Sequence, residues 1–272
     1  MRWTPPAEPA PDPALTRGFT GCLPGGRFAG PLVAYRSLGS TQTLARAWAA
    51  TGAPEGTVVL ADYQTAGRGQ HGRAWTAPPG TALLFSVVLR PSLPVARWPE
   101  IPLSAGCAIA DAAETAGLVS ARLKWPNDVV VAGRKVAGVL TEGVTGKPPL
   151  VLLGIGVNVS QRDTDWPSDL AGRARSLVAL GAPVSREAFL ATLLARLALW
   201  YGVLHQDGFE PVRAAWRRQG LLGTRVAPSD GGGTTVDLGP RGELVVRRGD
   251  GRLTSLMAPP EGLPETAGAE AG

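Results

Sequence analysis

Residues 122–141 constrain the fold more than any other stretch of this chain. Arg122-Leu123-Lys124-Trp125 reads as a short strand, and Pro126 pushes Trp125 toward an extended backbone. Residues 129–131 and 136–141 are two further β-rich runs, and Gly133-Arg134 between them suits the tight turn of a hairpin. The chain has three lysines, Lys124, Lys135 and Lys147, beside twenty-four arginines, and two of the three lie in this segment. A lysine is a compact, strongly hydrated point charge, whereas an arginine is a flat fork. Lysine in an otherwise arginine-based chain points to a small anion handled at close range, a carboxylate or a phosphate. Lys124 would end its strand, with its ammonium able to reach a ligand over the sheet. A plain β-turn, with Asn127 and Asp128 bonding their own backbone, explains Pro-Asn-Asp but leaves Lys124 unexplained.

Strand and helix signals are mixed along the rest of the chain. Residues 1–30, rich in Pro, Ala and Gly, read as a flexible lead-in. A strand is predicted at 31–35. Ser40 then suits the N-cap of a helix to about residue 50, with Leu44, Ala47 and Trp48 on one face. Residues 57–61 and 82–89 read as strands, and 102–117 as a helix ended by Gly117. A buried strand at 150–153 leads into Gly154-Ile155-Gly156-Val157-Asn158. Ser185 opens a long helix to about His205, with Phe189, Leu190, Leu193, Leu194, Leu197 and Tyr201 on its core face. A second helix, 209–219, stops at Gly220. From Gly223 onward, short Val/Leu runs at 225–227, 235–238, 243–247 and 252–256 are broken by glycines, as in a small antiparallel β-domain or barrel. The expected division is a lead-in at 1–30, a main domain at 31–222, a small β-domain at 223–258 and a disordered tail at 259–272.

Composition excludes several classes. At 272 residues and 44% hydrophobic, the chain can bury an ordinary globular core. The net charge of +5 is scattered, with no run of five or more basic residues, so a nucleic-acid footprint is not expected. Cys22 and Cys107 are far apart and lack metal-type spacing, and His71 and His205 have no cysteine-rich surroundings. These point to a reducing cytoplasm, no disulfide framework and no protein-held metal. No apolar run reaches the roughly 20 residues of a membrane span, and no signal peptide is evident.

Other motifs carry chemistry beside plainer readings. Gly67-Arg68-Gly69-Gln70-His71-Gly72-Arg73 interleaves glycines with arginines. Exposed backbone N–H groups and forked guanidinium groups suit an anion under a loop that can close. A mobile charged surface loop is an equal alternative. The loop lacks the Gly-Lys-Ser/Thr of a Walker element. Gly154-Ile155-Gly156 could admit a ligand close to backbone and let Asn158 reach it, although such a pair more often marks a bulge or tight packing. Ser40-Thr41 is by default a helix cap, and a helix N-terminus also attracts polar or anionic groups.

In combination the motifs say more than their parts. Ser40-Thr41, Gln64-Thr65-Ala66-Gly67-Arg68-Gly69 through Gly72-Arg73 and Trp75, Lys124-Trp125-Pro126-Asn127-Asp128, Lys135-Val136-Ala137-Gly138-Val139-Leu140-Thr141-Glu142 and Gly154-Ile155-Gly156-Val157-Asn158 occur in one order. The chain closely resembles the biotin–protein ligases, over about residues 34–258. The resemblance implies an α/β catalytic domain, a mixed sheet flanked by helices, and a small SH3-like C-terminal barrel. It implies that biotin and ATP are joined with Mg²⁺ to give biotinyl-5′-adenylate. The biotinyl group then passes to one lysine of a biotin carboxyl carrier domain, as in acetyl-CoA carboxylase or a related carboxylase. By the same resemblance, Ser40, Thr41, Gln42, Gln64, Arg68, Gly69, Gln70, Lys124 and Gly138 line the biotin site. Arg68, Trp75, Asn127, Lys135 and Asn158 fall on the ATP and Mg²⁺ side. Lys124, Arg68 and Asp128 are the expected catalytic residues, with Asp128 orienting or receiving the acceptor lysine's proton.

Two positions depart from the family pattern: Gln42 stands where Asn is usual, and Gln70 where Arg is usual. The resemblance leaves a monomer or homodimer open. Some relatives repress transcription through an N-terminal winged helix. About 30 residues precede the first motif here, so no nucleic-acid role is expected. A lipoate–protein ligase or octanoyltransferase shares the fold class and the transfer to lysine. Lys124–Asp128 favours biotin over that alternative.

Overall fold

The computed structural model describes residues 3–6, 9–21, 28, 30–118, 120–144, 148–226 and 231–257. Cys22, Lys147 and the expected tail at 259–272 lie outside these described residues. The strands are β1 (Leu32–Tyr35), β2 (Val58–Ala61), β3 (Ala82–Leu89), β4 (Arg122–Lys124), β5 (Asp128–Val131), β6 (Arg134–Val144) and β7 (Leu150–Asn158). They form one mixed sheet of 7 strands in the order β1-β2-β3-β7-β6-β5-β4. β1 and β2 run parallel and every other pair is antiparallel.

The helices are α1 (Pro13–Thr20), α2 (Thr41–Ala50), α3 (Glu100–Thr115), α4 (Arg186–Gln206) and α5 (Glu210–Gln219). Alternate strand residues point to opposite faces. Leu32, Val58, Phe85 and Val151 enter the main core with α3, α4 and α5, whereas Val33, Val59, Val88 and Leu152 pack beneath α2. The predicted core face of α4 is buried at all six named positions. Ser185 Oγ accepts from the Ala188 N–H at 3.1 Å, which starts that helix. By length and apolarity alone α4 could cross a membrane, contrary to the sequence expectation. In the fold its Phe189–Leu204 stripe is a core face of the domain.

Four details differ from expectation. The lead-in contains α1, capped by Asp12 and Pro13, with Phe19 fully buried. Burying one such ring contributes about 1.5–3 kcal/mol, enough to order a short segment that composition reads as loose. α2 buries Thr41, Gln42, Ala45, Trp48 and Ala49, so Ala47 is outside its core face. Its first N–H, from Thr41, is satisfied by the Gln64 side chain at 2.7 Å, and Ser40 makes no capping bond. β7 runs on through Asn158 instead of breaking at Gly154.

The C-terminal runs form a separate antiparallel sheet, β8 (Arg225–Val226), β9 (Gly233–Leu238), β10 (Leu244–Arg247) and β11 (Leu253–Leu256), in the order β11-β10-β9-β8. Its Val226, Leu238, Leu244 and Val246 join the main core.

Candidate active site

The site begins where α2 ceases to cover its face of the sheet. On β7 the residues facing α2 are Leu150 and Leu152, and the next two on that side are Gly154 and Gly156. Gly138 on β6 and Leu84 on β3 flank Gly156, while Leu140 and Ser86 flank Gly154. The sheet therefore has a patch without side chains. A Cβ on Gly156 would lie 2.5 Å from the Trp75 ring, and one on Gly154 would lie 2.7 Å from Gln42 Oε1. The glycines serve both sequence readings, since ring packing and a backbone-lined floor are the same geometry.

A cleft of about 480 Å³, part of it open to solvent, stands on this floor. Of the residues singled out in the sequence, Ser40, Thr41, Gln42, Gln64, Arg68, Gly69, Gln70, Trp75, Asn127, Lys135 and Gly138 line it. Lys124, Asp128 and Asn158 do not.

One end is neutral, polar and buried. Thr41 Oγ1 lies 2.9 Å from Ser86 Oγ and donates to Gln64 Oε1 at 3.1 Å. Ser86 Oγ donates to Gln42 Oε1 at 2.8 Å, and Gln42 Nε2 donates to the Leu152 carbonyl at 3.1 Å. Thr41, Gln42 and Ser86 are each almost fully shielded from water, and buried polar groups so arranged are rigid because each bond orients the next.

The other end is charged. Lys135 Nζ pairs with Asp128 Oδ1 at 2.7 Å and lies 5.4 Å from the centre of the Trp75 ring. Asn127 Nδ2 donates to the Val139 carbonyl at 2.7 Å. The Asn158 amide is spent within the protein, donating to the Lys135 carbonyl and accepting from Gln161. The loop between β2 and β3 folds over the cavity as a narrow hairpin. Gly69 N–H donates to the Arg73 carbonyl at 2.7 Å and Trp75 N–H to Gly67 O at 3.0 Å. The approach is so close that a Cβ on Gly67 would lie 2.3 Å from Trp75 O. Arg68 pairs with Glu142 at 3.2 Å, and Arg46 holds the other oxygen of that carboxylate at 2.7 Å. The indole Nε1 of Trp75 is buried and finds no acceptor among the described residues.

The sequence profile of the biotin/lipoate A/B protein ligase family matches residues 34–159. A biotin–[acetyl-CoA-carboxylase] ligase of Mycobacterium tuberculosis is 36% identical over 238 residues, which is 81% of this chain and 84% of that protein. The chain belongs to the biotin/lipoate A/B protein ligase family.

Its likeness extends to solved structures and to longer relatives. A biotin protein ligase from Aquifex aeolicus in complex with biotin and ATP matches with a TM-score of 0.73 at 29% identity, covering 84% of this chain and 96% of that one. The bifunctional ligase/repressor BirA of Bacillus subtilis is 36% identical over 199 residues. That match takes in 72% of this chain but 61% of the relative, so the chain spans about three fifths of that protein's length.

In this member of the biotin/lipoate ligase family, Lys124 is half-buried at the end of β4. Burial lowers its pKa from 10.5 to about 8; Asp128 opposes the shift, and Lys135, Arg173 and Arg73 add to it. Sequence reasoning missed Ser86 and Glu142 as parts of the site. The signal for Ser86 was present: it is the one hydroxyl inside the apolar run Ala82–Leu89, where a buried polar atom must find a partner. Glu142 carried no such signal, because its two arginines come from α2 and from the loop.

Proposed function

We propose that this chain is a biotin–protein ligase that works in two steps in one cavity. The observation that carries the reading is the placement of a buried set of neutral hydrogen bonds and of the Lys135 end on a shared glycine floor. Thr41, Gln42, Gln64 and Ser86 suit the ureido ring of biotin, which needs both donors and acceptors in fixed positions. Gly138, Gly154 and Gly156 let the Trp75 ring and the Gln42 amide sit close on the sheet, so the ligand would lie against those side chains. Trp75, with its free indole N–H, together with Asn127 and Lys135, suits the nucleotide.

In the first step a carboxylate oxygen of biotin attacks the α-phosphorus of ATP. An oxygen–phosphorus bond forms, the bond to the bridging oxygen breaks, and pyrophosphate leaves with its electrons. Two anions must meet, so cations carry most of the catalysis. Lys124, still largely protonated at neutral pH, with Lys135 and Arg68 supplies that charge. Mg²⁺ enters with ATP as the counter-ion of its phosphates. Asn158, with both amide groups engaged, is a positioning group for the Lys135 strand in this reading.

In the second step the neutral amine of a carrier lysine attacks the carboxyl carbon of the adenylate. An amide forms and AMP departs. A free lysine has a pKa of about 10.4, so its proton must be removed before attack. Asp128 takes the role of orienting or receiving it, from its place beside Lys135 Nζ at 2.7 Å. The acceptor is a biotin carboxyl carrier domain of a carboxylase, and the reaction belongs in the cytoplasm, where ATP is available.

The test combines the protein, ATP, Mg²⁺, biotin and an isolated carrier domain. The expected result is pyrophosphate release and the mass of one biotinyl group on one lysine of the carrier. Transfer of lipoate or octanoate in place of biotin would assign the chain to the sister activity and overturn the biotin reading.

A further inference from the structure

Lys124 is the residue on which adenylation would most depend, yet its strand is the outermost of the sheet and only three residues long. An edge strand that short is poorly held by pairing with β5 alone. Both neighbours of Lys124 are tied to the part of the chain that follows α5. The Leu123 carbonyl accepts from the Leu221 N–H at 2.9 Å, and Leu123 forms a parallel bridge with Gly220. Trp125, 8% exposed, donates its indole N–H to the Gly242 carbonyl at 2.9 Å. Gly242 lies in the turn between β9 and β10, at φ +81, and a Cβ there would be 2.6 Å from Leu103 on α3. The turn is closed by the Gly239 N–H to Glu243 carbonyl bond at 2.7 Å. It is also closed by Glu243 Oε2, which accepts from the Arg241 N–H at 2.8 Å.

We propose that Trp125 is a positioning residue, through which the C-terminal sheet sets the direction and depth of Lys124 at the end of β4. The physical basis is the distance between anchors: with Leu123 and Trp125 both held, Lys124 has no freedom to swing its strand end toward water. The Gly242 carbonyl is a fixed acceptor because its turn is wedged against Leu103. Contact with the main core through Leu238, Leu244 and Val246 keeps the whole sheet in register with the site. The C-terminal sheet thus acts on the chemistry without touching a substrate.

Trp125→Phe tests this, since it keeps an aromatic ring in place and removes the donor. The inference rests on the reading of Lys124 as the adenylation cation, so one readout is independent of activity. The pH-dependent labelling of Lys124 by an amine-reactive anhydride, followed by mass spectrometry, reports its titration. The charged groups facing Lys124 are Asp128 from β5, Lys135 from β6, Arg173, and Arg73 from the loop, and the substitution alters none of them. In the unaltered protein the titration lies at about 8. In Trp125→Phe it moves up toward the value of a free lysine, and adenylate formation slows on the order of tenfold through misplacement of the cation. Glu243→Ala, which removes the acceptor of the Arg241 N–H and so loosens the turn from its far side, shifts both readouts in the same direction. Thr254→Ala removes a bond to Arg248 inside the same sheet and leaves both unchanged. A Trp125→Phe protein that folds and shows an unshifted Lys124 titration overturns the proposal. A shifted titration in Trp125→Phe, where the unaltered protein makes no biotinyl-adenylate, upholds the positioning role and overturns the biotin reading instead.

Discussion

The two ends of the cavity are built on different physical terms. At the Thr41–Gln42–Ser86 end, buried neutral polar atoms are matched to partners of this protein, and the Glu142 carboxylate at its margin, opposite Leu152, is held by Arg46 and Arg68. At the Lys135 end the charge is partly exposed and already paired, with Asp128 holding Lys135 at 2.7 Å. A neutral network is rigid because breaking any one bond strands a buried group, whereas exposed ion pairs are worth little and exchange partners readily. The contrast suggests a recognition end that selects by shape and a reacting end whose cations can be reassigned to an incoming anion.

Substitutions at each end sharpen this contrast. Lys124→Met should have the largest effect, a loss on the order of 10²–10³-fold in single-turnover adenylate formation, because it deletes charge where negative charge accumulates. A near-normal rate would mean that Lys135 and Arg68 suffice. Gly156→Val drives a side chain into the Trp75 ring, at a folding cost of about 1–3 kcal/mol from overpacking. It should also abolish stabilisation by biotin or ATP in a thermal melt, and retained stabilisation would remove the glycine floor from the site. Ser86→Ala leaves Gln42 Oε1 without its donor, costing about 1–3 kcal/mol. Calorimetry should show weaker biotin binding with ATP binding intact; equal losses of both would break the division into two ends.

The pH response separates the ends further. Lys124 titrates at about 8 when folded and near 10.5 when unfolded, so between those values the unfolded state holds more protons. Stability therefore rises with pH across that window, while adenylation kcat/KM falls as pH passes about 8 and the cation is lost. Parallel melting and rate profiles check both signs. The smallest effect is expected from Gln70→Arg, which adds a cation to the loop and should slow release of the adenylate in a stopped-flow chase. Equal release rates would show that position 70 does not face the intermediate.

Much of this was legible in local sequence. The hairpin of β5 and β6 follows from two β-rich runs, though its turn is centred on Ala132-Gly133, at φ +47 and +72, and not on Gly133-Arg134, which opens β6; the α4 core face follows from its period. The cavity gathers eleven of the residues singled out beforehand, from loops, the first turn of α2 and β6, because they belong to short motifs with recognisable chemistry. The residues that escaped are those whose meaning lies across the sheet. Ser86 becomes a site residue only because β3 pairs with β7 opposite Gly154. Glu142 becomes one only because α2 and the Arg68 loop meet over β6.

Sequence by itself determined which residues could bind an anion, where strands and turns fall, and the family to which the chain belongs. Those properties depend on side-chain chemistry and on spacings of a few residues. Tertiary structure decided the rest. Phe19 is buried in a segment that reads as loose, three glycines from two strands make one floor, and Lys124 is depressed in pKa between groups from β5, β6 and two loops. Burial, register and local field are sums over neighbours distant in the chain, and no short window of sequence contains them.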